Sequence, residues 1–266
     1  MNDTLTVTVP VLRDYKQREE KIACLTVYDA TFAEVLQGAG VEILLVGDSL
    51  GMVIQGHSTT VPVTLEDMVY HTRCVGRVVK RSLLVVDLPF GSYASPRQAV
   101  ESGARLLRSG AGMVKLEGGR GRQEVVRALV SEGIPVCGHL GLLPQSIHRI
   151  GSYSVQAKSP QASQHLLEDA CLLVEAGIDL LVLECIPATL AEAVTAEISV
   201  PTIGIGAGAG CDGQVLVLYD MLGLGRGNPP RFVRNFLADA GDIREAVVSY
   251  VRAVKEGSFP GTEHAY

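Results

Sequence analysis

The stretch GMVKLEGG, residues 112 to 119, places Lys115 and Glu117 two apart inside an apolar run. Side chains on a strand alternate faces, so these two share one face while Val114 and Leu116 take the other. The same pattern recurs along the chain. Asp48 closes LLVGD, Asp87 closes LLVVD, His139 ends VCGH, and Glu184 ends LLVLE. Taken singly, each has a bland reading. An Asp after a strand often caps the next helix, as Asp29 in VYDATFAE is expected to do, and a lone His is often a satisfied core residue. Together they place the charged and imidazole groups of these apolar runs at one end of each run.

That arrangement has a chemical cost and a chemical use. Neighbouring strands lie about 4.8 Å apart, so inward-leaning carboxylates at Asp48, Asp87 and Glu117 repel one another unless cations stand among them. Lys115 supplies one positive charge. A divalent ion would supply the rest, and an all-oxygen ligand set without Cys or clustered His favours Mg²⁺ or Mn²⁺ over zinc. On this reading Glu117 faces the ion, directly or through water, and Lys115 faces a bound anion. The competing reading is an internal Lys115–Glu117 salt bridge, in which the attraction rarely exceeds the cost of desolvating both partners.

Positioning such groups requires a particular scaffold. From residue 22 onward, short apolar runs alternate with helix-like segments. IACLTVY precedes 30 to 39, EILLVG precedes 64 to 80, SLLVVDLP precedes 96 to 109, and GMVKLE precedes 121 to 132. IPVCGHL is then followed by 162 to 176, DLLVLECI by 188 to 197, PTIGIG by a short helix at 212 to 216, and VLVLYDML by a final helix at 239 to 256. Near-continuous apolar strands are what burial on both faces of a parallel sheet demands. Eight βα units in this length fit a (β/α)₈ TIM barrel, where chemistry sits at the C-terminal strand ends; an open doubly wound sheet is the alternative. With no linker and no break in composition, residues 1–266 are expected to form a single domain. The longer loops at 49 to 63 and 140 to 161 are candidates for lids or subunit contacts.

Composition excludes several classes. The chain has 29 acidic against 23 basic residues, a net charge of −6 and no Trp, so it carries no electrostatic footprint for nucleic acid. A small-molecule partner is expected. No apolar stretch approaches the roughly 20 residues that span a bilayer, and the first 20 residues lack the basic start and apolar core of a signal peptide. A cytoplasmic location follows as the expectation. The six cysteines form no CxxC pair and read as buried, reduced thiols. GIGAGAG, residues 204 to 210, fails the G-x-G-x-x-G spacing and reads as glycines that admit close packing or positive φ. Thr64 with Asp67 reads as a capping box.

Longer stretches carry a resemblance. LTVYDATFA, VGDSLGMVIQGHSTTVPVTLEDMVYHTRCVGR, VVDLPFGSY, GAGMVKLEGG, VCGHLGLLPQ, LVLECIP, IGIGAGAGCDGQVLVLYDMLG and GSFPGTEH together resemble the ketopantoate hydroxymethyltransferase family across almost the whole chain. The resemblance implies a barrel of the phosphoenolpyruvate/pyruvate-binding type, a Mg²⁺ site, and a homo-oligomer, often a decamer. It also implies transfer of the one-carbon unit of 5,10-methylenetetrahydrofolate to 3-methyl-2-oxobutanoate. On the family pattern, Asp48, Asp87 and Glu117 match the metal positions. Asp48, Ser49, Asp87 and Lys115 match the keto-acid contacts, and Glu184 matches the proton acceptor. His139 is left between a substrate-binding and a structural role. Two alternatives remain at this point: a lyase or aldolase acting on another 2-oxo acid, and a non-catalytic barrel that only binds a metabolite.

Overall fold

The computed structural model describes residues 6–225 and 227–266. Its strands are β1 (Ile22–Thr26), β2 (Ile43–Val46), β3 (Leu83–Asp87), β4 (Met113–Glu117), β5 (Val136–Gly141), β6 (Leu180–Glu184), β7 (Thr202–Ile205) and β8 (Gly213–Leu216). All pair in parallel, in chain order, and β8 closes on β1, so the sheet is a closed eight-stranded barrel. Almost every strand residue is buried, because side chains pack inward against the barrel lumen and outward against helices.

Eleven α-helices accompany the strands among the described residues: α1 (Val9–Gln17), α2 (Ala30–Gly38), α3 (Leu50–Val53), α4 (Leu65–Gly76), α5 (Pro96–Arg108), α6 (Gln123–Ser131), α7 (Ile147–Ile150), α8 (Pro160–Ala176), α9 (Ala188–Glu197), α10 (Leu218–Met221) and α11 (Ile243–Lys255). Their starts follow local chemistry. Asp29 accepts from Phe32 N at 2.9 Å and caps α2. Thr64 and Asp67 form the expected capping box of α4, with Asp67 N donating to Thr64 Oγ1 and Thr64 N to Asp67 Oδ2. Ser95 and Ser159 cap α5 and α8, each followed by a proline at the first helical position, where its missing N–H is harmless.

Two features depart from the sequence reading. The short helix expected at 212 to 216 is strand β8 itself, and much of VLVLYDML, expected as the eighth strand, is helix α10. Length and hydrophobicity cannot separate a short apolar strand from a buried helical turn. The tertiary pairing decides: Gly213 and Gln214 pair with Ile203 and Gly204 of β7, and Gly213 packs onto the backbone of Ile22, where a side chain would not fit. The glycines at 206 and 208 adopt φ of 59° and 77°, so the chain returns from β7 to β8 without a helix.

The second departure is α1, which the sequence reading left unassigned. It is fastened to the N-terminal face of the barrel: Arg13 meets Asp179 at 2.6 Å, and Lys16 meets Asp212 at 2.8 Å while also donating to the carbonyl of Thr195. All six cysteines are free; four are buried, and Cys74 and Cys171 are half-buried.

Candidate active site

The barrel opens at the C-terminal strand ends into a cavity of about 160 Å³. An engineered cavity of roughly 150 Å³ admits benzene, so this one has room for a small organic acid. Leu45, Val182, Ile205 and Val215 supply apolar wall, and Asp48, Asp87, Lys115, Glu117, His139 and Glu184 line the same space. All six residues singled out at strand ends therefore converge, and Ser49 joins them.

Strand register determines who meets whom. Asp87 is opposite Lys115 across β3 and β4, and their side chains form a buried ion pair of 2.7 Å. Glu117 is opposite His139 across β4 and β5, with His139 Nδ1 3.6 Å from Glu117 Oε1. Glu184 is opposite Gly141, and its Oε2 lies 3.2 Å from His139 Nε2. Neither imidazole contact combines the distance and angle of a sound hydrogen bond, so charge attraction is what they supply. A side chain at residue 141 would collide with the carbonyl of Glu184; glycine there, at φ 97°, lets β6 end close against β5. The internal Lys115–Glu117 pair does not form, because two residues along one strand are farther apart than partners across a ladder.

The electrostatics follow from burial and crowding. Burial, then the charges of Asp87 and Glu117, push the Asp48 carboxyl well above the usual carboxylate range, against the opposing pull of Lys115 and Gln145. Burial alone would lower Lys115, but Asp87, Glu117 and Asp48 more than offset it and hold the ammonium charged. For His139, burial and Lys115 act downward, yet contact with Glu117 and Glu184 wins and moves it up to about 9.

Several participants escaped the sequence reading. Gln145 is buried and is the junction of the site: its Nε2 donates to Asp48 Oδ2 at 2.8 Å and to the carbonyl of Leu88 at 2.9 Å, while its backbone N–H donates to Glu117 Oε2 at 3.1 Å. Its Oε1 accepts from Tyr93 at 2.5 Å. Tyr28 shares a 2.9 Å hydrogen bond with Ser49. Thr60, 2% exposed, lines the cavity with a hydroxyl that has no partner among the described residues. The only sequence signal for these positions was membership of motif stretches, since polar residues in loops are ordinary.

Among the described residues, no group of three or more His, Cys, Asp or Glu side chains is arranged to hold a metal ion unaided. The carboxylates of Asp48, Asp87 and Glu117 nevertheless suit a hard ion that keeps several waters and needs only one or two carboxylates. The reluctance of Asp48 to ionise marks the negative charge that such a cation would relieve.

Fold and site together define a class. The chain superposes on a putative phosphonomutase from Burkholderia cenocepacia J2315 with a TM-score of 0.64 at 17% identity, covering 81% of this chain and 95% of that one. It also matches a 2,3-dimethylmalate lyase described as a PEP mutase/isocitrate lyase superfamily member, with a TM-score of 0.58 at 17% identity, covering 82% and 80%. The molecule shares the (β/α)₈ barrel fold of these structures. Residues 6–262 match the ketopantoate hydroxymethyltransferase family. A relative from Methylococcus capsulatus, named 3-methyl-2-oxobutanoate hydroxymethyltransferase, is 57% identical over 98% of this chain and 97% of its own length. The chain belongs to the ketopantoate hydroxymethyltransferase family and is a transferase of ketopantoate synthesis.

Proposed function

We propose that this protein transfers the one-carbon unit of 5,10-methylenetetrahydrofolate to 3-methyl-2-oxobutanoate, giving ketopantoate through an enolate. The observation that carries the reading is the placement of Glu184. Its side chain is 16% exposed toward the cavity, against 4% for Glu117 and Asp87, and it stands 3.2 Å from a cationic His139. Among the strand-end carboxylates that line this pocket sized for a small acid, it is the most accessible, which is what a general base requires.

In this reading the keto acid binds against Asp48, Ser49, Asp87 and Lys115, and the Lys115 ammonium balances its negative charge. Asp48, Asp87 and Glu117 would hold a Mg²⁺ ion, which when bound would draw electron density from the keto acid's oxygens and acidify the adjacent C–H. Glu184 takes that proton at a carboxylate oxygen, and His139 holds the carboxylate in place by charge. The apolar wall of Val182 and Ile205 limits water around the enolate carbon. That carbon attacks the methylene carbon of the folate as one of its two C–N bonds breaks, and water then displaces the remaining nitrogen, which leaves the hydroxymethyl group on the acid and releases tetrahydrofolate.

A homo-oligomer, a decamer by the resemblance, is also proposed; support comes from large side chains left on the surface, with Tyr70 65% and Phe90 56% exposed. A cytoplasmic location is proposed too, and no helix among the described residues is long and apolar enough to cross a membrane. The test of function is ketopantoate formation from the two substrates with and without Mg²⁺. Product that forms equally well after exhaustive chelation, or not at all when Mg²⁺ and both substrates are present, refutes the proposal.

A further inference from the structure

The Thr60 hydroxyl is a buried donor with nothing to bond. Its oxygen has almost no exposed surface in the unliganded protein and no hydrogen-bond partner among the described residues, although the residue lines the cavity that holds Asp48, Lys115 and Glu184. A hydroxyl buried in this way gives up its hydrogen bonds to water and contributes nothing to the fold in return. Valine would fill the same space without that loss, so stability does not account for a hydroxyl here.

The loop between α3 and α4 fixes where this hydroxyl stands. Its backbone folds back onto α3: His57 N donates to the carbonyl of Gly51 at 2.8 Å, and Val63 N to the carbonyl of Thr60 at 3.1 Å. A Cβ at Gly51 would stand 3.7 Å from the Cα of Thr60 and would overlap the side chain of Val63, so the loop and the helix are in direct contact. Gly51 lies two residues after Ser49 and three after Asp48. Thr60 is thereby held against the helix that follows Asp48 and Ser49, and it lines the same cavity as those two residues.

We infer that Thr60 is a substrate-binding residue whose hydroxyl donates a hydrogen bond to an oxygen atom of the bound 2-oxo acid. The inference rests on the keto-acid reading above and adds to it a contact delivered by the loop. The bound acid supplies the missing acceptor, so the hydroxyl that is idle in the free protein gains its partner only on binding. A hydrogen bond to a charged oxygen is of the stronger kind.

The experiment is calorimetric titration of 3-methyl-2-oxobutanoate, in Mg²⁺-containing buffer, into the full-length protein and its Thr60→Val, Thr60→Ala and Thr60→Ser variants, with thermal midpoints recorded without ligand. Thr60→Val and Thr60→Ala should each weaken binding by roughly 10- to 100-fold. Thr60→Ser should stay within about threefold of the parent protein. The unliganded midpoint of Thr60→Val should equal or exceed that of the parent, an outcome a structural hydroxyl would not give. Unchanged keto-acid affinity in Thr60→Val and Thr60→Ala would show that the hydroxyl does not meet the bound acid and would overturn the inference. So would a lowered midpoint in Thr60→Val with affinity intact. If the parent protein binds no keto acid, the proposed function fails, and this inference with it.

Discussion

The two ends of the barrel treat charge in opposite ways. At the N-terminal face each buried or half-buried charge has a partner that completes it. Asp212 receives Lys16 at 2.8 Å and the backbone N–H of Thr202 at 2.8 Å, and Glu42 receives Lys255 and the N–H of Ala23. At the C-terminal face, carboxylates crowd faster than cations arrive. Asp48 is pushed toward its neutral form, both nitrogens of His139 lack a sound hydrogen bond, and the Thr60 hydroxyl is idle. Satisfied charge is what a fold needs, and unsatisfied charge is what a ligand can use. The contrast therefore separates the end that stabilises this protein from the end proposed to react.

The largest effect that would sharpen this contrast is expected at Glu184. Glu184→Gln keeps the shape and removes the basic oxygen, so deuterium exchange into 3-methyl-2-oxobutanoate, measured without folate, should slow by about 10² to 10⁴. Calorimetry should find keto-acid binding retained. Exchange at the parent rate would remove Glu184 as the base.

Next comes Gln145, which touches two of the carboxylates proposed to hold the ion. Gln145→Leu removes the amide donor to Asp48, and the affinity for Mg²⁺, followed by titration, should fall by about 10- to 100-fold. A variant that binds Mg²⁺ like the parent would show that the junction only packs the loop.

At the opposite face the expected effect is on stability. Asp212→Asn deprives Lys16 of its charge partner, with a cost of about 1–3 kcal/mol and a fall in thermal midpoint of roughly 2–10 °C. Keto-acid affinity should not change. Loss of affinity with an unchanged midpoint would break the comparison between the two ends.

The smallest effect concerns Asp67, a carboxylate amply supplied with donors and in that respect the reverse of Asp48. The hydroxyl of Thr64 is the main cause of its lowered pKa; burial opposes it, and the backbone N–H of Thr64 adds to the downward pull. Because the folded-state pKa lies below the unfolded one, its stabilising contribution is present above the ordinary Asp value of about 3.9 and is lost as pH falls through the folded value. A plot of parent against Asp67→Asn stability should show a small gap at neutral pH that closes below about pH 4. A gap that persists unchanged into acid would assign the effect to shape and not to charge.

Much of this contrast was legible in the sequence, for a physical reason. A charged residue in an apolar strand stands out because burying it unpaired is costly, so Asp48, Asp87, Lys115, Glu117, His139 and Glu184 announced themselves. The alternation of apolar runs and helices announced the barrel in the same way. Gln145 and Thr60 did not stand out, since a polar residue in a loop is the ordinary case and only three-dimensional packing shows that these two are buried. The pairing of Lys115 with Asp87, and not with Glu117, depends on the register between β3 and β4, which one strand read alone does not contain. Helix α1 was missed because its tertiary anchors lie far away in the chain, and β8 was misplaced because its glycine is dictated by a neighbouring backbone.

The docking of α1 has a consequence for the order in which this molecule is assembled on the ribosome. Arg13 waits for a partner 166 residues later and Lys16 for one 196 residues later. Nascent chain emerges from its N-terminal end first, at about 5–20 residues per second, so α1 is made early and spends on the order of ten seconds or more with its basic residues unmatched. A helix synthesised early is thus among the last to be seated. It can dock only once β6 and β8 exist, and its attachment reports that the closing strands of the barrel have arrived.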